Sequence, residues 1–341
     1  LTRRWLTIHF NGKKPPVRSR VVLRDLKLYS RRPFSEDRLK ESISRLSAND
    51  TFSSIDLSFT PRDTTATCDT LDMRVDCVLD KPYDLTLEAN VTGKTTSRIG
   101  PGAMVTLAKR NAFRGGERLS LSIYGAYEWQ TGSSGTKSPV GINSYEYGGD
   151  LSLEMPRLLL PFLRNQRWKY APQTKLKAAT QVVNRGKFFN RHIMSGELTY
   201  TFQPSATLKH VFSPIILEYD YMNRVSDEFK QLIEKNPYLY ISMQDQFIPQ
   251  MRYTLMYTSR DQQNSPLTWK TTVAESSNIL SLGYLAAGRS WNEQGKKLFQ
   301  NPYAQFLKVE TDLTKQWRVS DRSTVVAHVN AGGIWSYGNS K

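Results

Sequence analysis

The sequence predicts a mainly β protein in which a small α+β domain precedes a long antiparallel β structure patterned like a membrane barrel. Three observations predict this. Helical spacing of apolar residues is confined to the part before residue 82, and period two governs nearly everything after it. The later alternating segments set an apolar, aromatic-rich face against a face with charged residues such as Glu88, Glu128, Asp150, Glu197, Asp220, Glu310 and Asp312. A dry sandwich core would not accept those charges unpaired, whereas a water-filled lumen would. A large soluble sandwich with one solvated face is the competing reading of the pattern.

The 341 residues suffice for one small domain and one large β structure. Trp5 to Gly12 alternates as a strand. Two helical segments follow, one over about 17–28 with Val22, Leu23 and Leu26 as its apolar face. In the second, Ser35 is the N-cap, Glu36 and Asp37 suit the positive end of the helix dipole, and Leu39, Ile43 and Leu46 fall at helical spacing. Two further strands carry Ile55, Leu57 and Phe59, then Leu71, Met73, Val75 and Cys77. The order over 1–82 is therefore strand, helix, helix, strand, strand.

About eleven strands are expected beyond it, at roughly 83–95, 100–112, 115–131, 143–156, 173–184, 192–204, 213–224, 247–259, 267–287, 302–318 and 322–337. If residue 83 enters from the periplasmic side, the outer loops are 93–100, 132–142, 184–191, 224–246 and 288–301. They are mostly long and polar, and Asp227 to Glu234 could form a short helix. The opposite connections, near 111–118, 203–212, 260–266 and 319–322, are shorter. The exception is 155–173, where Leu158, Phe162 and Trp168 suit a membrane interface.

Composition narrows the function. The most nearly apolar stretch, Met155 to Leu163, is far short of the roughly 20 residues a spanning helix requires, whereas a barrel strand needs only about 9–11. No apolar run near Leu1 reads as a signal peptide, so a leader has been removed or upstream sequence is missing. The net charge of +16 is spread over short groups such as Arg3-Arg4 and Lys296-Lys297. Contact with anionic lipid or lipopolysaccharide phosphates explains it better than nucleic acid does. Cys68 and Cys77 have no metal-ligand spacing with the four histidines; Cys77 reads as a buried free thiol, with a Cys68–Cys77 disulfide as the other option. No phosphate loop or nucleophile elbow appears, His192, His210 and His328 lack a partner pattern, and Glu146/Asp150 read as wall charges. No cofactor, metal site or enzymatic activity is expected.

The order of elements in 1–82, with Phe10-Asn11-Gly12 and Thr51-Phe52-Ser-Ser-Ile55, resembles a POTRA domain, the periplasmic module that precedes the barrel in the BamA/TamA family. The junction Leu71-Asp-Met-Arg-Val to Tyr83-Asp-Leu-Thr-Leu-Glu, then Gly100-Pro-Gly and the turn Asn111-Ala-Phe113-Arg-Gly115-Gly116-Glu117, is similar to that family's passage into its first barrel hairpins, and most like the TamL-type members of the Bacteroidota. The resemblance implies about sixteen strands, so that some five strands, an Arg-Gly-Phe loop and further POTRA domains lie outside this chain. It implies an outer-membrane location, with 1–82 in the periplasm and 83–341 in the barrel. It also implies a barrel that closes weakly at its first strand. That edge, Tyr83, Leu85, Thr86, Leu87, Glu88, Ala89, Asn90 and Val91, would capture strands of client outer-membrane or surface proteins through its backbone, with accessory envelope proteins as further partners. A passive pore or dedicated secretion channel is the alternative.

Overall fold

The computed structural model describes residues 2–3, 6–63, 69–94, 98–130, 143–160, 170–186, 188–236, 243, 245–259, 265–288, 290–291, 295–298 and 301–340. Its first part contains β1 (Thr2–Arg3), β2 (Leu6–Thr7), α1 (Ser19–Asp25), α2 (Glu36–Ser47), β3 (Phe52–Pro61) and β4 (Leu71–Leu79). Ser35 caps α2 as expected, accepting from the Arg38 amide at 3.5 Å. Leu26 and Leu46 are fully buried between the helices and the β3–β4 hairpin, with Val17, Val21 and Leu28 around them. Ile55, Leu57 and Phe59 of β3 and Met73, Val75 and Cys77 of β4 form the half-buried face. Ser42 ties the two helices together, accepting from the Lys27 amide at 2.8 Å and donating to the Arg38 carbonyl at 2.7 Å.

Several details here differ from the sequence expectation. Of the strand expected over 5–12, the described residues keep Leu6–Thr7, which pairs with Thr2–Arg3 rather than with β3 or β4; Trp5 lies outside the described residues. The chain that follows it carries Pro15 and Pro16, which have no N–H to give a ladder, and their carbonyls are claimed elsewhere, as described below. The first helix starts at Ser19 instead of Val17, and α2 buries Ser42, Arg45 and Leu46 while Ile43 stays exposed. Cys77 is a free thiol, half-buried, and burial together with the nearby Asp76 carboxylate pushes its pKa up. Cys68 lies outside the described residues.

Eleven antiparallel strands then form one sheet in simple up-and-down order. They are β5 (Tyr83–Lys94), β6 (Arg98–Lys109), β7 (Arg118–Gln130), β8 (Ser144–Met155), β9 (Gln173–Arg185), β10 (Phe189–Phe202), β11 (Leu208–Val225), β12 (Gln246–Thr258), β13 (Leu267–Ser276), β16 (Phe306–Ser320) and β17 (Ser323–Ser336). Two short strands, β14 (Lys297–Leu298) and β15 (Asn301–Pro302), lie in the connection before β16. Register keeps like faces together. Leu85, Leu107, Leu121 and Leu151 occupy one cross-strand row on the outward face, while Thr86, Thr106, Ser122 and Asp150 occupy the next row on the inner face.

The inner face is polar and internally paired. Asp150 meets Lys177 at 3.6 Å, Glu154 meets Lys175 at 2.8 Å, Arg191 pairs with Asp220, and Lys94 with Glu128. Outward, Leu87, Val91, Ile123 and Val329 are each 60% or more exposed. Such a face is incompatible with water over so large an area. Aromatic residues close this apolar band at both ends. At one end stand Tyr257, Trp269 and Trp317; at the other stand Trp129, Tyr145, Phe247 and Trp335. On β12, Phe247 and Tyr257 are ten residues apart. At about 3.4 Å per residue and a tilt of about 40°, that spans roughly 25 Å, the height of a lipid-facing band.

Two helices lie in the connections at the Trp335 end. α3 (Asp227–Lys235) falls where the sequence suggested one, and α4 (Asn278–Ala286) does not. The strand expected over 267–287 ends at Ser276. Ser277 adopts a left-handed φ of 59°, and the Glu275 carboxylate accepts from the Asn278 amide at 3.0 Å, starting a helix in place of further strand. The expected loop 132–142 lies outside the described residues, as do Phe162 and Trp168. Leu158 is buried rather than turned to an interface.

Candidate functional site: the β5 edge and the turn beneath it

Among the described residues β5 pairs only with β6, from Tyr83↔Lys109 to Lys94↔Arg98. Half of its backbone N–H and C=O groups therefore face away from the sheet. Leu85, Leu87, Ala89 and Val91 point outward, and Thr86, Glu88 and Asn90 point inward. Side chains thin out behind this strand: Ala89, Ala103 and Gly125 share one bare row. With Tyr127, Tyr145 and Tyr147 they line a shallow apolar groove of about 750 Å³. Gly100 belongs to the same thin wall, since a Cβ there would come within 1.7 Å of the Tyr127 carbonyl oxygen.

The base of β5 is held by cations. Arg110 donates its amide to the Pro82 carbonyl at 2.8 Å, and its guanidinium approaches Asp84 at 3.4 Å and Asp80 at 3.6 Å. Arg118 reaches Asp84 at 3.6 Å and Asp50 at 3.1 Å. Lys109 lies 5.6 Å from the centre of the Tyr83 ring.

Below that base, the turn from β6 to β7 brings Asn111, Gly115 and Gly116 together. Asn111 and Gly116 have φ of 53° and 78°. The Asn111 side chain works in two directions: its Oδ1 accepts from the Gly116 amide at 3.1 Å, and its Nδ2 donates to the Pro16 carbonyl at 2.9 Å. Gly116 is required twice, by its φ and because a Cβ would meet the Asn49 side-chain amide at 2.9 Å. Phe113, singled out with them, is exposed and is not drawn into this contact.

Two further residues of this turn, to which the sequence assigned no role, complete the junction with residues 15–18. Arg114, at φ 65°, accepts from the Arg18 amide at 2.8 Å and donates its guanidinium to the Pro15 carbonyl at 2.6 and 3.1 Å. Glu117 is buried, accepts from the Gly115 amide at 2.7 Å and faces Arg157 at 3.5 Å. Residues 15–18 thus form a strap seated on the turn, and the first part of the chain is docked beneath the β5–β7 end of the sheet.

The up-and-down sheet with its outward apolar band has a solved counterpart. The chain is similar to the crystal structure of BamA from Haemophilus ducreyi lacking POTRA domains 1–3, with a TM-score of 0.56 over 94% of this chain and 54% of that one. The fold is that of part of a BamA-type barrel. Identity to that BamA is 11%, so the likeness concerns the fold, and the chain spans about half of the BamA structure's length. CdiB from Acinetobacter baumannii superposes more loosely, with a TM-score of 0.37 at 12% identity over 96% of this chain and 66% of that one. No family model matches the sequence, and no curated protein matches it.

Within this BamA-type sheet the histidines are tied up in wall contacts. His328 pairs with Asp312 at 2.7 Å, and His210 Nδ1 lies 2.6 Å from the Tyr253 hydroxyl. Glu146 and Asp150 bond to Gln181 and Lys177 respectively, not to each other. Among the described residues no group of three His, Cys, Asp or Glu side chains could hold a metal ion.

Proposed function

We propose that this chain is part of an outer-membrane assembly or translocation factor that captures client β-strands on the backbone of β5. One observation carries the reading: among the described residues β5 offers an unshared edge while its base is anchored. An edge of this kind is a template that another strand joins by hydrogen bonding, with affinity supplied by the main chain and register by alternate side chains. Tyr83, Leu85, Leu87, Ala89 and Val91 would meet the lipid side, and Thr86, Glu88 and Asn90 the lumen. The bare row behind Ala89 leaves room for bulky residues of an incoming strand.

In this reading residues 1–82 form a POTRA-like periplasmic domain and 83–341 the forward part of the barrel. The turn residues Asn111, Gly115 and Gly116 fix the passage between them. Clients would be outer-membrane or surface proteins, in contact with outer-membrane lipid and lipopolysaccharide, and no nucleic acid or cofactor enters the mechanism. The work is done by exchange of backbone hydrogen bonds, so no side chain acts as a catalyst.

Cysteine cross-linking tests the proposal. A cysteine at Glu88 in the full-length protein, paired with a scan of cysteines along a client's terminal strand, should give an assembly-dependent cross-link with two-residue periodicity. A correctly folded protein that cross-links in no register, yet conducts ions steadily, points instead to a passive pore.

A further inference from the structure

We propose that α4 is an interfacial helix that lies in the outer-leaflet surface of the membrane and adds a lipid contact beside the barrel wall. The inference rests on the membrane-spanning reading given above.

The helix is apolar almost all round. Its buried side carries Ser277 and Ser281, with Leu280 and Tyr284 half-buried beside them; the Ser281 hydroxyl lies 3.3 Å from that of Tyr303, whose ring stacks on that of Tyr284 at 6.3 Å. Asn278 Oδ1 accepts from the Tyr337 hydroxyl at 3.0 Å and from Gln305 at 3.4 Å. The opposite side carries Ile279, Leu282 and Leu285, exposed at 62%, 55% and 48%, with Gly283 and Ala286 between them. No residue of the helix is charged. A nine-residue, almost wholly apolar helix that turns this stripe to water would be poorly solvated. With hydrocarbon on the outside, the arrangement is favourable.

Its height fits that surroundings. Glu275, whose carboxylate receives the first helical amide, lies on the outward face in the row that continues through Leu307 to Trp335, an end residue of the apolar band. Tyr303, beneath the helix, is bridged to Phe247 of the same aromatic end. The helix therefore begins within a few residues of the band's upper limit.

A second helix at that end supplies the contrast. α3 turns Phe229 inward against Phe188 and Phe189, at ring distances of 5.4 and 5.3 Å, and carries Asp227, Glu228, Lys230, Glu234 and Lys235. It is built for water.

The test uses single-cysteine variants of the full-length protein in a Cys68→Ser, Cys77→Ala background, labelled with an environment-sensitive fluorophore and reconstituted into phosphatidylcholine vesicles. Labels at Leu282→Cys, or at Ile279→Cys if the first variant fails to fold, should be quenched about threefold more by a nitroxide on the upper acyl chain than by aqueous iodide. Leu232→Cys on α3 should show the reverse preference, and Ile123→Cys on the outward sheet face should be quenched by lipid nitroxide alone. Iodide-dominated quenching on α4 with lipid quenching intact at Ile123 overturns this inference and leaves the barrel reading standing. Iodide quenching at Ile123 overturns both.

Discussion

Strands β5 and β17 both leave an edge unshared among the described residues, and both turn exposed aliphatic side chains outward, yet only β5 has its base tied down. Arg110 and Arg118 converge on Asp84, and the turn below is strapped to residues 15–18. β17 is joined to β16 by the tight turn at Asp321 and Arg322, and it is exposed along nearly its whole length. On the proposed function β5 receives another strand, which needs a fixed register, and a clamped base supplies it. The difference teaches that the clamp at its base, and not its exposed aliphatic side chains, sets β5 apart.

The clamp can be broken. Replacing Asn111 and Arg114 together by alanine removes their side-chain bonds to the Pro15 and Pro16 carbonyls and should cost about 3 kcal/mol of coupling. Pulsed spin-label distances between Lys40 on α2 and Ile123 on β7 should broaden, while distances between β16 and β17 should not. Gly116→Val should cost about 2 kcal/mol in unfolding free energy, because it violates a φ of 78° and meets Asn49. The same kind of enlargement on the other edge, Ala331→Val, should stay within about 0.5 kcal/mol. Denaturant titration of the folded band on gels compares the two.

Smaller changes sharpen the contrast. Asp84→Asn weakens ion pairs that are partly solvated, so the expected loss is about 0.5 kcal/mol, visible as faster amide exchange at Leu85 with no change at Val325. The smallest effect belongs to a pair remote from both edges. The Arg62 guanidinium bonds to Asp72 and holds its carboxyl below the ordinary value of 3.8. A lowered acid pKa stabilises the fold above that ordinary value, and the contribution is lost as pH falls through the lower, folded-state one. Arg62→Gln should return the Asp72 titration, read by carboxyl carbon NMR, towards 3.8 without altering exchange in β5 or β17.

The sheet was largely legible because its information is local. Alternation from Leu119 to Trp129 requires only that neighbours face opposite ways, and β7 runs from Arg118 to Gln130 as that pattern implies. The α4 segment was misread because Leu280, Leu282 and Tyr284 also alternate. The choice of helix is made by Glu275 and by Tyr303, which lies well beyond the segment. The edge residues from Tyr83 to Val91 were recognisable, but the clamp was only half visible. Asn111 and Gly116 announce a turn by their tolerance of positive φ, whereas nothing in Arg114 or Glu117 reveals a partner about 99 residues earlier or a buried amide two residues away. Pro15 and Pro16, which have no N–H to donate, act through their carbonyls as hydrogen-bond acceptors.

The direction of the strands carries a consequence of its own. In an up-and-down sheet of eleven, β5 and β17 run the same way. If they met directly they would make a parallel seam, with slanted hydrogen bonds and a weaker join. A ring whose every seam is antiparallel therefore requires an odd number of strands between them. One strand satisfies that parity and a lone hairpin does not. Whatever strands stand between the two edges in the whole barrel obey this arithmetic before a single side chain is read.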